Sequence, residues 1–396
     1  MAYGFGAASF ASGATDAFGR LRVSNPVTQF EAKFTYGNEE RLFNTTTATG
    51  GVAAFLPNEA AWNLTTTATS GSRVLRESWR YFQYHTGKGQ EIILTGLFGA
   101  AVANCTKRIG YYDDNDGLFF VQNGTTGFGV CRRTSTSGSP ADNVVYQAAW
   151  SIDKMDGTGP SGITLDVTKT NIFFIDFQWL GVGSVRFGVD IGGALYYVHQ
   201  MDHANTALTQ VYMKSAWLPV RYEIVNTGTS TASSLKQICA TVMSEGGIEE
   251  TGAPYSVGET QISTATTGAW VPIVSIKVGT TQNGYPYRGV AKLTGMDSVN
   301  TSANYAILAV FENATLTGPS WIAVPGGSSA CSYDISATAL TGGIQRATFY
   351  SARTISSNAI ADANLVAPAG TTFTIAARGI GGSATLCASM NWREVD

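Results

Sequence analysis

Charge is what this sequence has least of. Only 13% of its 396 residues are Asp, Glu, Lys or Arg, about half the usual share of roughly 25%. A long solvated helix needs Glu, Lys and Leu at helical spacing, and almost no stretch provides them. The net charge of −3 leaves no basic footprint for nucleic acid. No apolar run reaches the roughly 18 residues of a membrane span, so membrane insertion is not expected. The start, MAYGFGAASF, has no basic stretch followed by an apolar core and is not read as a signal peptide. Cysteine is scarce too. Cys105, Cys131, Cys239, Cys331 and Cys387 are odd in number, widely spaced and never in a CxxC. Free, mostly buried thiols made in a reducing cytoplasm are expected. Histidine is limited to His85, His199 and His203, no GxSxG occurs, and no Ser or Cys has a nucleophile's setting. No cofactor and no enzymatic activity are expected.

What the chain has is glycine (45 residues), hydroxyl and amide side chains, and aromatics. Its densest strand signal runs from Asn171 to Val225. Phe173, Ile175, Phe177 and Trp179 alternate with Asp176 and Gln178, the period of two of a strand with one buried side. Gly181-Val182-Gly183 breaks the run. Val185, Phe187 and Val189 resume it against Arg186 and Asp190. Gly192-Gly193 turns the chain again into Leu195–Met201. Three strands joined by glycine turns predict an antiparallel meander. A fourth, Leu218–Val225, is expected beside it, completing the central sheet of a β-sandwich. A second meander is expected over Ile109–Arg133, and Leu235–Met243 closes the set, with Ile238, Ala240 and Val242 on one face.

Around this core the chain divides into three. Residues 1–72 read as an N-terminal arm and docking segment, with a Thr/Ala/Ser/Gly-rich loop over 44–72. Phe5, Phe10 and Phe18 favour an arm over a disordered tail, because disordered tails are poor in aromatics. Residues 73–248 read as the central sandwich. Residues 259–396 carry about seven shorter strands, a second sandwich or barrel-like region, unless they complete the first. The fold expected is all-β, a jelly-roll or concanavalin-like β-sandwich with an extended arm.

Candidate sites are few. Asp113, Asn115 and Asp116 before Gly117 resemble a calcium loop, but the glycine comes one place early and no closing glutamate follows, so a hairpin turn is expected. His199, Asp202 and His203 could hold zinc, yet no third nitrogen or sulfur ligand is near, and a structural role is expected. Asp176 and Glu223 could line a cleft as a glycosidase pair, or be solvated or paired with Arg186 and Arg221, which is the reading favoured. No catalytic and no metal residue is assigned. Tyr84, Tyr112, Tyr196, Tyr285 and Tyr287 are candidates for stacking on a glycan.

Several stretches carry a family likeness: DAFGRLRVSNP (Asp16–Pro26), YDDNDGLFF (Tyr112–Phe120), VRFGV (Val185–Val189), VHQMDHAN (Val198–Asn205) and LPVRYEI (Leu218–Ile224). Over roughly residues 16–245 the chain resembles a family of virion structural proteins of tailed bacteriophages and environmental viruses. The resemblance implies a virion component: a tail, baseplate or fibre protein, or alternatively a capsid-decoration or head-fibre protein. A host-surface carbohydrate-binding module is a further alternative. The expected partners are copies of itself, as a trimer, and other virion proteins. Docking and subunit contact are expected of Phe5, Phe10, Asp16, Phe18, Arg20, Leu21, Arg22, Val23 and Pro26.

Overall fold

The computed structural model describes residues 15–17, 19–247, 252–258, 263–325, 328–351, 356–358 and 365–395. The chain is all-β. The single helix among the described residues is one 3-10 turn, Gln147–Ala149, and none is long and apolar enough to cross a membrane. The chain forms two compact units, 1–249 and 250–396.

The first unit runs β1 (Pro26–Ala32), β2 (Phe43–Ala48), β3 (Val52–Leu56), β4 (Ala61–Thr66), β5 (Arg73–Ser78), β6 (Gln90–Leu97), β7 (Cys105–Tyr112) and β8 (Gly117–Asn123). It continues with β9 (Gly127–Thr134), β10 (Ala141–Tyr146), β11 (Asn171–Phe177), β12 (Val185–Ile191), β13 (Ala194–Met201), β14 (Val220–Asn226) and β15 (Ser233–Glu245). One sheet has the order β13-β12-β11-β6-β15-β4-β3, with β1 also on β15. The other has the order β10-β9-β8-β7-β14-β5-β2. Their inner faces meet in one core that includes Leu64, Ile92, Phe173, Ile175 and Val189 from the first sheet. Val74, Ile109, Phe120, Tyr222 and Ile224 come from the second. Tight burial of this many large apolar side chains is the main force holding the layers together.

The meander over β11, β12 and β13 is antiparallel as its alternation demands, with Phe173 opposite Val189 and Ile175 opposite Phe187. Gly192 and Gly193 turn it with φ of 67° and 81°, a left-handed pair that glycine adopts without strain. The fourth strand is a correction. β14 pairs with β5 and β7 in the facing sheet, not with the meander. Period-two burial places a strand's apolar side toward the core from either sheet, so the pattern was the same for both. A second correction concerns the described part of the expected arm and loop: from Pro26 to Thr66, β1 to β4 are strands of the sandwich, and β2 and β3 form its edge. A bulge between Gln237 and Cys239 also turns Ile238 off the fully buried face that Leu235, Ala240 and Val242 occupy. All five cysteines are free; Cys239 is exposed and Cys387 half-buried.

The second unit has two six-stranded sheets. The longest pair, Val290–Asn300 with Ala384–Val395, faces Val271–Val278, Tyr305–Glu312 and Thr372–Ile380 across a core holding Leu293, Trp392, Ile276, Leu308 and Phe373.

Candidate functional site

The outer face of the β11 sheet is charged but covered. Asp176 stands between Glu91 on β6 and Arg186 on β12, and the segment from Thr15 lies over it. Arg22 Nη2 is 2.5 Å from Asp176 Oδ2, Nη1 is 3.2 Å from Glu91 Oε1, and Nε is 3.1 Å from Glu245 Oε1. Arg186 also pairs with Asp176, and Tyr197 donates its hydroxyl to Asp176 at 2.8 Å. Burial opposes the Arg22 charge, but Asp176 and Glu91 outweigh it and raise the guanidinium above its usual value. Burial pushes the Glu245 carboxyl up to about 7, Arg22 working against it and Asp176 and Glu91 with it.

The residues expected to dock on other proteins are thus partly spent within the chain. Asp16 is buried and accepts from Arg20. Arg22 is locked into the sheet, and Pro26 opens β1 opposite Glu245. Leu21 and Val23 do stand exposed. Phe5, Phe10 and Phe18 lie outside the described residues.

Asp176 and Glu223 do not share a cleft, because they sit on different sheets. Glu223 is held on the other outer face by Arg73 at 2.6 Å and Arg108 at 2.9 Å, with Tyr112 Oη at 3.3 Å. Burial alone would raise its carboxyl, but Arg108, Arg73 and Arg221 prevail and bring it down to about 2. The Asp113 carboxylate is spent on the hairpin, accepting from the Asn115 and Asp116 amides at 2.8 Å. The Asp116 carboxylate accepts from the Ser135 and Lys214 amides. His199 and His203 engage different partners, Ser151 and the Gly183 carbonyl.

The tyrosine candidates need correction. Tyr84, Tyr112 and Tyr287 are buried and Tyr196 is half-buried; only Tyr285 is well exposed, at 61%, in the second unit. A tyrosine on an alternating strand has the same pattern whether its outer face is open or covered by arginines. Arg133 and Arg221 cover Tyr112 in this way.

An open aromatic site lies elsewhere, where β2 ends one sheet and β3 ends the other. A groove of about 380 Å³ is lined there by Glu40, Asn44, Thr45, Thr47, Trp62 and Trp79, with Phe43 and Ala53. Trp79 follows the last residue of β5 and is 54% exposed. Its Nε1 donates to the Glu40 carbonyl at 3.2 Å, which fixes the indole. The partly open floor is stiff. Arg76 is fully buried, its guanidinium 3.7 Å from the Trp62 ring centroid and 5.2 Å from that of Phe43. It donates to Gln237 Oε1 at 2.8 Å and to Thr45 Oγ1 at 2.6 Å. Burial lowers its pKa to about 10, with Glu40 opposing. Thr45 Oγ1 accepts from Arg76, so its own proton remains available to a ligand. The groove therefore offers a flat apolar ring beside amide, hydroxyl and carboxylate groups. Neither Trp79 nor Trp62 stood out in the sequence: RESWRYFQY carries bulk on both alternating faces, and nothing in it marks where β5 stops.

No family model matches the chain, and no curated protein matches it. Solved structures do. A β-glucanase of Bacillus licheniformis is 11% identical, over 54% of this chain and 96% of its own, with a TM-score of 0.35. A glycosyl hydrolase family protein of Mycobacterium fortuitum is 11% identical, over 55% and 99%, with a TM-score of 0.36. A legume lectin-like domain of Entamoeba histolytica is 8% identical, over 53% and 95%, with a TM-score of 0.31. Likeness at this level assigns no ligand and no activity. It does remove the expectation that the chain is not an enzyme, since proteins described as a glucanase and a glycosyl hydrolase are among those it is similar to.

Proposed function

We propose that this chain is a carbohydrate-binding protein of a virus particle. The observation that carries the sugar reading is the edge groove. A pyranose has an apolar C–H face that stacks on an indole, and equatorial hydroxyls that seek fixed polar partners. Trp79 supplies the ring, and Asn44, Thr45, Thr47 and Glu40 the polar rim. The groove's size falls in the range of small-ligand sites.

The virion reading rests on the sequence resemblance over residues 16–245. A tail, baseplate or fibre position is preferred to capsid decoration, with assembly as a trimer. Leu21 and Val23 are exposed on either side of the pinned Arg22, which suits an apolar docking contact held in one geometry.

A glycan array with the intact chain and with Trp79→Ala tests the sugar reading. Binding of at least one glycan that the variant loses is the expected result, and an array blank for both refutes it. Particle incorporation of a Leu21→Asp, Val23→Asp double variant tests the docking reading. Normal incorporation of that variant rules the contact out.

A further inference from the structure

The sandwich has a second open edge, formed by β10 of one sheet and β13 of the other. A cleft of about 400 Å³ lies there, lined by Arg132, Asn143, His199, Asp202, His203 and Leu208 among others. Two of these residues carry polar atoms that no described residue satisfies.

Arg132, on β9, has its Nε buried without a partner. No carboxylate pairs with it among the described residues. Burial lowers its pKa, opposed only by Cys131 and Tyr212. A half-buried guanidinium whose Nε is shut from water, with no counter-charge among the described residues, is a place where an anionic ligand would be favourable. Asn143 stands directly opposite Arg132 across the β9–β10 pair, so an amide flanks the guanidinium.

His203 is 3% exposed. Its Nδ1 lies 2.6 Å from the Gly183 carbonyl oxygen. A carbonyl can only accept, so the proton sits on Nδ1 and Nε2 is a bare acceptor. Nε2 is buried with no partner. The ring stacks on Tyr212 with centroids 4.1 Å apart and planes 10° apart, which holds Nε2 in place. Burial lowers the His203 pKa, with Arg132 assisting and the Gly183 bond and Asp202 opposing, which favours the neutral ring and its acceptor. Asp202, on the rim, is already engaged: its Oδ1 accepts from Ser184 Oγ and Gln200 Nε2, each at 2.8 Å.

The cleft thus presents a guanidinium fork and a fixed acceptor. Its complement is one molecule with a planar anion and a hydrogen-bond donor. A carboxylate matches the fork in two parallel bonds, and a hydroxyl donates to His203 Nε2. A carboxylate with its single charge also suits the nearby Asp202 better than a doubly charged phosphate does. We propose that this cleft binds a hydroxy-carboxylate of the sugar-acid class, its carboxylate on Arg132 and a hydroxyl on His203. The same chemistry is found in a free sugar acid and in a uronate residue of a polysaccharide. The cleft is separate from the edge groove and stands whether or not that groove takes sugar.

Isothermal titration of the full chain with D-glucuronate, D-glucose, acetate and inorganic phosphate tests this. Saturable one-to-one binding of glucuronate is expected, with glucose, acetate and phosphate at least tenfold weaker. Arg132→Ala should weaken glucuronate at least tenfold without lowering the melting temperature, because Arg132 has no ion-pair or hydrogen-bond partner among the described residues to lose. Arg132→Lys should also weaken it, because a point charge lacks the fork. Trp79→Ala should leave glucuronate binding intact, which separates this site from the groove. A galacturonate oligosaccharide binding more tightly than the monomer assigns the site to a polymer, and equal affinity assigns it to the free acid; both support the proposal. It is overturned if glucuronate does not bind, if phosphate or acetate binds equally well, or if Arg132→Ala binds glucuronate as the parent does.

Discussion

Arg22 and Asp176 are 154 residues apart in the chain, and their side chains meet at 2.5 Å. The contact fastens the first described segment across the outer face of the β11 sheet, where Glu91 and Glu245 join the same guanidinium. Removing the cation leaves three carboxylates near one another, with Arg186 still paired to Asp176. Arg22→Ala is therefore expected to cost about 3–5 kcal/mol, read as a fall in the chemical-denaturation midpoint. Asp176→Asn in the same background should recover part of the loss. A double-mutant coupling near zero would show that the pair does not act as drawn.

The Glu223 carboxyl is held at about 2 against a usual value of 4.5. The folded state thus binds this proton more weakly than the unfolded chain does. The stabilisation is complete above about 4.5 and is lost as the pH falls through 2. The shift corresponds to about 3 kcal/mol. Glu223→Gln should flatten the stability curve of the first unit between those pH values. An unchanged acid limb in the variant would mean that Arg73 and Arg108 do not grip the carboxylate.

Glu245 should act in the opposite direction. Its carboxyl is raised to about 7 from 4.5, so its contribution is present below about 4.5 and fades as the pH rises through 7. Glu245→Gln should remove that decline. A variant whose stability falls over this range as the parent's does would show that another group is responsible.

Arg76 is a buried cation without a carboxylate partner among the described residues, wrapped by Trp62 and Phe43. Much of its value is packing. Arg76→Met should fall within about 1 kcal/mol of the parent, or be more stable. Arg76→Ala should cost about 3 kcal/mol through the cavity it opens beneath the groove. Equal destabilisation by both, measured by urea unfolding, would show that the charge itself is needed.

Gly117 has a φ of 147° and sits where an added Cβ would come within 2.0 Å of Tyr112 Cβ. Gly117→Ala should cost at least about 2 kcal/mol, seen in the melting temperature. A variant melting with the parent would mean that the hairpin can shift register.

The DDNDG turn, the β7–β9 meander and the β11–β13 meander were legible because each depends on neighbours in sequence: glycines and aspartates at turns, and alternation between them. The longer strands of the second unit were legible for the same reason, but short ones such as Thr315–Thr317 and Ala339–Thr341, and Ala253–Gly258 in the expected boundary, were not. The edge groove was not, because Trp79, Trp62 and Thr45 come from three segments with no shared pattern. Nor could the sequence show that Asp16 and Arg22, read as outward docking residues, turn back onto their own chain.

What the sequence by itself determined is therefore which side of each strand is apolar and where the chain turns, since both are set by local sterics and by the period of two. Which strands become neighbours was decided only in the tertiary structure. β14 could have buried Val220, Tyr222 and Ile224 from either sheet, and packing placed it between β5 and β7. The same holds for Asp176, Arg132 and His203. Alternation says that a side chain points away from the core, or sits at a strand's end. Only the approach of distant segments decides whether that place is open water, an ion pair with Arg22, or a cleft with two unsatisfied nitrogens.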